Sequence, residues 1–119
     1  MELYVIRHTT PDVAKGICYG QSDISVTHTF PEESHRVLMQ LPLELDIVYT
    51  SPLIRCLQLA DTIAKARQLE MVTDARLKEL NFGDWELKAW NDLDQSSLMD
   101  WMNNYVEVCC PNGESYAQL

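Results

Sequence analysis

The residues that could do chemistry fall in three short stretches. Arg7-His8 sets a guanidinium beside an imidazole. Two groups that can both be positive disfavour each other's charge, and an anion held between them relieves the conflict. A neutral imidazole can also attack phosphorus near neutral pH. Taken alone, the dipeptide reads more simply as a surface pair just past a strand. Arg55 lies in Ser51-Pro52-Leu53-Ile54-Arg55-Cys56, in the first turn of a predicted helix. Free N–H groups there favour an anion, and an arginine opposes the helix dipole unless an anion sits in front of it. Its fork of donors suits the oxygens of a transferring phosphoryl group. Alone, it reads as a solvated helix arginine. Glu79 belongs to Leu77-Lys78-Glu79-Leu80-Asn81-Phe82-Gly83-Asp84-Trp85-Glu86. A carboxylate beside aromatic rings can have a raised pKa and give a proton to a leaving oxygen. Asp84 and Glu86 compete for that role on composition, and a surface glutamate in a turn is the plain alternative. Nucleophile, anion clamps and acid together describe covalent phosphoryl transfer.

Those side chains need a scaffold. Leu3-Tyr4-Val5-Ile6 is a continuous apolar run, so Glu2 to Arg7 is predicted as a strand covered on both faces, with His8 at its C-terminal end. A long loop follows to about Thr29, punctuated by Pro11, Gly16 and Gly20. Pro31 to Leu41 reads as a helix, with Glu32 and Glu33 at its positive end and Pro42 as its stop. Asp46 to Thr50 is a second strand. Ser51 then serves as N-cap and Pro52 as first residue of a helix whose Leu53, Leu57, Ala60 and Ala64 recur through to about Gln68. Met71 to Thr73 is a third strand. A further helix is expected from about Asn91 to Tyr105, a break at Pro111-Asn112-Gly113, and a new helix start at Glu114-Ser115. Alternating strands and helices predict an α/β fold, three layers α/β/α with a mostly parallel sheet.

Residues 1–119 suit a single domain. The formal net charge of −9 repels nucleic acid and anionic membranes, so neither is expected as a partner. An anionic substrate must be met by a local group of arginine and histidine. No apolar run is long enough to span a bilayer, and the first residues lack the pattern of a secretory signal. A cytoplasmic location is therefore expected. Cys18, Cys56, Cys109 and Cys110 form no C-x-x-C pair, and adjacent Cys109 and Cys110 suit neither an ordinary disulfide nor a zinc site. They read as reduced thiols.

Arg7-His8-Thr9, Ser51 to Cys56, and Glu79 with Gly83-Asp84-Trp85-Glu86 together resemble the three signature blocks of the histidine phosphatase superfamily, the phosphoglycerate mutase-like family. They occur in the family's order, each on the expected element, and the resemblance covers nearly the whole chain. It implies a phosphomonoesterase of the phosphoglycerate mutase-like fold, acting on a small-molecule phosphomonoester without metal or other cofactor. It implies a phosphohistidine at His8, with Arg7 and Arg55 holding the phosphoryl oxygens. Glu79 would protonate the leaving group and then activate water. Gly20 and Gln21, in Tyr19-Gly20-Gln21, look like the substrate-side loop. Within the family, Phe82 to Glu86 and Pro111 to Ser115 look most like the alpha-ribazole phosphatases, which remove a 5′-phosphate in cobalamin assembly. Phosphoglycerate mutase, broad-specificity sugar phosphatase and an inactive phosphate-binding module are the alternatives.

Two departures carry consequences. Thr9 stands where the family has glycine, so its backbone is less free to approach phosphate, while its hydroxyl offers a contact. The family's second histidine has no match, since His28 and His35 lie in the first loop and first helix. That histidine is expected beyond Leu119, and residues 1–119 alone are expected to be weakly active or inactive. A three-stranded sheet with an uncovered edge also leaves room for more chain or for a homo-oligomer.

Overall fold

The computed structural model describes residues 1–119. Its elements are helix α1 (Phe30–Gln40), strand β1 (Ile47–Thr50), helix α2 (Ile54–Arg67), strand β2 (Glu70–Thr73) and helix α3 (Gln95–Asn103), with three short 3-10 turns between β2 and α3. The chain divides into two compact units. One holds residues 1–12 and 23–77, the other residues 13–22 and 78–119.

The first unit is a β–α–β arrangement. β1 and β2 pair in parallel, from Ile47 opposite Glu70 to Thr50 opposite Thr73, and α2 is the crossover between them. Leu59, Ala60, Ile63 and Ala64 are the buried apolar residues of α2, which packs on both strands. α1 packs against α2 and is tied to it by Arg67, whose guanidinium donates to the Leu38 carbonyl at 2.9 Å. The parallel α/β character predicted from the sequence is therefore present.

Two features of the first unit differ from expectation. Glu2 to Arg7 forms no strand. A strand exists only through a ladder with a neighbour, β1 and β2 are paired only with each other, and Leu3 and Val5 stay 81% and 88% exposed. An apolar run states a demand for cover but does not supply a partner. α2 begins at Ile54, two residues later than the Ser51 cap and Pro52 start suggested. Proline drives the residue before it into extended conformation, and Leu53 is extended as well (φ −65°, ψ 137°). Ser51 Oγ accepts the Leu53 N–H at 3.3 Å, so Ser51 shapes a turn, and the Leu53 carbonyl opens the helix by accepting from Cys56 and Leu57. Gln68 ends α2 in left-handed conformation (φ 56°).

The second unit is built around Cys18, Leu80, Trp85, Leu93 and Cys110, with Phe82, Trp90, Leu98 and Trp101 packed on them. Phe82, Trp85 and Trp90 all meet the Trp101 ring, at centroid distances of 5.8 to 6.4 Å. The predicted helix from Asn91 is shortened, because Asp94 caps α3 by accepting from the Ser97 N–H at 3.0 Å. Residues 90–92 make a separate 3-10 turn. No helix starts at Glu114-Ser115. Ser115 to Leu119 makes one turn, with the Gln118 and Leu119 N–H groups both directed to the Ser115 carbonyl. The Pro111-Asn112-Gly113 break is confirmed, with Asn112 at φ 57°. A Cβ on Gly113 would strike the Asn81 carbonyl oxygen, so the break docks there by virtue of its glycine.

Candidate active site

The first unit carries Arg7, His8, Thr9 and Arg55. Arg7, His8 and Thr9 border a concavity of about 230 Å³, which Glu33 and Arg36 of α1 also line. His8 is half-buried, and its Nδ1 lies 2.7 Å from the Thr9 carbonyl oxygen. A carbonyl can only accept, so Nδ1 carries the proton, and in the neutral ring the lone pair belongs to Nε2. That is the tautomer a nucleophilic imidazole needs.

Thr9 is 5% exposed, and its Oγ1 has no hydrogen-bond partner in the protein. A buried hydroxyl left so costs about 1–3 kcal/mol, and an anionic oxygen would satisfy it. Thr9 is not among the residues with positive φ, so its backbone has no conformational need for the glycine of the family motif. Arg55 has 0% exposure at the second position of α2. The solvated-arginine reading is thereby removed, since burial of a guanidinium demands compensation by polar or anionic groups. One free N–H of the α2 N-terminus is already used: Ile54 donates to Asp23 Oδ1 at 2.8 Å. Sequence reasoning missed Asp23, because the cap comes from 31 residues upstream.

The loop after His8 is held by a residue that composition marked only as a helix-dipole partner. Glu33 accepts from the Thr10 N–H at 3.2 Å, from Thr10 Oγ1 at 2.8 Å and from Thr29 Oγ1 at 2.7 Å. Since the Thr29 hydroxyl is donated to Glu33, the Thr27 hydroxyl, 2.6 Å away, donates to Thr29. Bonds from Thr29 and then Thr10 hold the Glu33 carboxyl below its ordinary pKa.

The second unit carries Gly20, Gln21 and Glu79, with Glu79 exposed. Gln21 Nε2 donates to the Glu79 carbonyl at 3.1 Å, so the Tyr19-Gly20-Gln21 loop and the acidic block are in contact. The Gly20 and Gln21 N–H groups are directed to Glu86, at 3.1 and 2.9 Å. Glu86 also accepts from Ser22 Oγ at 2.6 Å and from the Phe82 N–H at 3.2 Å. Burial alone would raise the Glu86 pKa, but the bonds from Ser22, Gln21, Gly20 and Phe82 outweigh it and hold the carboxyl below its ordinary value. An acid that must be protonated to work is poorly served by such a cradle. Asp84 accepts from Asn112 Nδ2 at 2.8 Å and so binds the Pro111–Gly113 turn. Glu86 and Asp84 thus both have structural work. Gly20 also belongs to the packing, since a Cβ there would sit on the Leu80 carbonyl oxygen.

Among the cysteines, burial pushes the Cys18 thiol up to about 12 and the Cys110 thiol to about 11, and no disulfide is present. No helix is long and apolar enough to cross a membrane.

Comparison with known proteins gives this arrangement its context. The sequence profile of the histidine phosphatase superfamily (branch 1) matches residues 3–119. A Hydrogenobacter thermophilus protein named as a phosphoserine phosphatase is 31% identical over 98% of this chain and 60% of its own length. The adenosylcobalamin/alpha-ribazole phosphatase of Escherichia coli is 29% identical over 98% of this chain and 60% of its own. The crystal structure of the alpha-ribazole phosphatase from Shigella flexneri superposes with a TM-score of 0.84 at 27% identity, over 95% of this chain and 58% of that one. The chain thus spans about three fifths of the length of these relatives. Its fold is the phosphoglycerate mutase-like α/β fold, and the chain belongs to branch 1 of the histidine phosphatase superfamily.

Proposed function

We propose that this chain carries the phosphoryl-accepting part of a phosphomonoesterase, with His8 as the nucleophile. The observation that carries this reading is the His8 Nδ1 contact with the Thr9 carbonyl, which assigns the lone pair to Nε2 beside Arg7. Nε2 attacks phosphorus, the ester oxygen leaves with a proton from Glu79, and a phosphohistidine results. Water then attacks phosphorus, gives its proton to the Glu79 carboxylate, and frees His8 and phosphate. Arg7 and Arg55 hold the phosphoryl oxygens, and the Thr9 hydroxyl is suited to a further contact. Gly20 and Gln21 shape the substrate-side loop by position, because their N–H groups are taken by Glu86.

The finer reading is hydrolysis of the 5′-phosphate of alpha-ribazole phosphate in cobalamin assembly, a cytoplasmic step. Its support is the likeness to proteins named for that activity. A relative named as phosphoglycerate mutase GpmB from Yersinia enterocolitica, 31% identical, keeps mutase chemistry as a second reading. A mutase holds a second anionic group, and the loop after His8 offers only Lys15 as a further cation, which favours hydrolysis.

The test is to incubate the protein with labelled phosphomonoesters and look for acid-labile label on the chain. Label should appear on residues 1–119 and vanish in His8→Ala, even where turnover is weak. Label that persists in His8→Ala would refute His8 as acceptor, and no label on the parent chain would favour an inert phosphate-binding module. Glu79→Gln should slow esters with poor leaving groups most. Isomerisation of 3-phosphoglycerate without phosphate release would replace the hydrolase reading with the mutase one.

A further inference from the structure

We infer that Glu33 is a positioning residue for His8, acting through the peptide plane between Thr9 and Thr10. The inference rests on the reading of His8 as nucleophile. The Thr9 carbonyl and the Thr10 N–H belong to one planar peptide unit, and in a trans peptide they point to opposite sides. No peptide bond in the chain is cis. On one side, the carbonyl oxygen meets His8 Nδ1 at 2.7 Å. On the other, the N–H meets both Glu33 oxygens, at 3.2 and 3.4 Å. A rotation of this plane that releases the Glu33 bond also turns the Thr9 carbonyl away from the imidazole. The plane is thus held between the ring and the carboxylate.

Three further contacts stiffen the device. The Thr10 hydroxyl binds the same carboxylate at 2.8 Å, so Thr10 is gripped at two atoms. The Thr10 carbonyl accepts from the Thr27 N–H at 3.0 Å, which fixes the next peptide plane. The Thr29 hydroxyl, at 2.7 Å, fixes the other Glu33 oxygen and is itself oriented by Thr27. Glu33 lies in the first turn of α1, so the orientation of the nucleophile is referred to a helix and not to a loop. The negative charge adds to the effect, because N–H and O–H bonds to a carboxylate are stronger than those to a neutral acceptor.

A purely structural glutamate would steady the α1 terminus and leave the imidazole alone. The two cases separate on the proton of His8. With 15N-labelled histidine, the ring nitrogens of His8 can be assigned among the three histidines by difference from His8→Gln. The parent chain should show the Nδ1–H tautomer and a Thr10 amide protected from exchange. Glu33→Ala should move His8 toward the Nε2–H form and slow its phosphorylation by about 10- to 100-fold. Glu33→Gln, which keeps one acceptor oxygen, should restore the Nδ1–H form and most of the rate. A folded Glu33→Ala with an unchanged tautomer would overturn the inference. Should Glu33→Ala not fold, the parent chain decides: an Nε2–H ring or an unprotected Thr10 amide overturns it. The tautomer is read without substrate. Failure of phosphohistidine trapping on the parent chain would therefore strike the nucleophile assignment and leave the clamp standing.

Discussion

Two glutamates organise two loops in this protein, and they do so with different donors. In the second unit Glu86 gathers the N–H groups of Gly20, Gln21, Ser22 and Phe82 and one hydroxyl, that of Ser22. In the first unit Glu33 gathers one N–H and two hydroxyls, from Thr10 and Thr29. Backbone donors remain whatever the side chains become, and within a partly buried loop they must be satisfied. Hydroxyls belong to side chains and can be changed singly. Glu86 is therefore a fold-maintaining hub, whereas Glu33 is proposed to govern the direction of the His8 side chain. The first should be read in stability and the second in the state of His8.

All three tryptophans, Trp85, Trp90 and Trp101, lie in the second unit, so their fluorescence follows the unit that Glu86 holds. Glu86→Ala strips an acceptor from four N–H groups at once. With part of the loss returned by water, it should cost about 3 kcal/mol and lower the urea midpoint of the tryptophan transition accordingly. Glu33→Ala should leave that midpoint at the parent value. If both substitutions shift it equally, the division of labour between the two hubs is wrong.

Acid unfolding sharpens the same point with a smaller effect. The Glu86 pKa is depressed in the folded protein, and an unfolded glutamate titrates near about 4.3. Protonation is then favoured in the unfolded chain, so the contribution of Glu86 is complete at neutral pH. It declines as pH falls below about 4.3 and is lost once pH passes below the folded value. Glu86→Gln keeps one acceptor oxygen and has no proton to gain. It should lower stability at pH 7 by about 1–2 kcal/mol and flatten this part of the acid limb. A Glu86→Gln variant with the parent's pH dependence would mean that other carboxylates govern it.

These hubs also mark where the sequence could be read and where it could not. α2 was legible because Leu57, Ala60 and Ala64 repeat at helical spacing, and β1 and β2 because short apolar runs flank it. Those signals are local. The strand expected at Glu2 to Arg7 failed because pairing is not local, and nothing in Leu3 to Ile6 names a partner. Arg55 could be placed on a helix turn but not buried, since burial depends on what folds over it. Glu79, Asp84 and Glu86 were indistinguishable as carboxylates near aromatics. Glu86 was separated from the others by donors 64 to 66 residues away. Glu33 was visible as an acidic residue at a helix start, and its real partner, Thr10, lies 23 residues earlier.

Ser22→Ala is the finest cut of the comparison. It removes the only hydroxyl from the Glu86 cradle and leaves the Gly20, Gln21, Ser22 and Phe82 N–H groups in place. A hub built on backbone donors should survive this, at a cost of about 0.5–1.5 kcal/mol. The same hydroxyl is the strongest single influence lowering the Glu86 pKa, ahead of each N–H. Its loss lets the burial penalty count for more, so the folded pKa rises toward the unfolded one. The folded carboxylate then gains its proton at a higher pH, and the acid limb becomes shallower and ends sooner as pH falls. Stability should therefore drop slightly at pH 7 while its dependence on pH between about 4.3 and lower values weakens. A loss as large as that of Glu86→Ala would show that the hydroxyl, and not the backbone, holds the loop, and the two glutamates would then work alike.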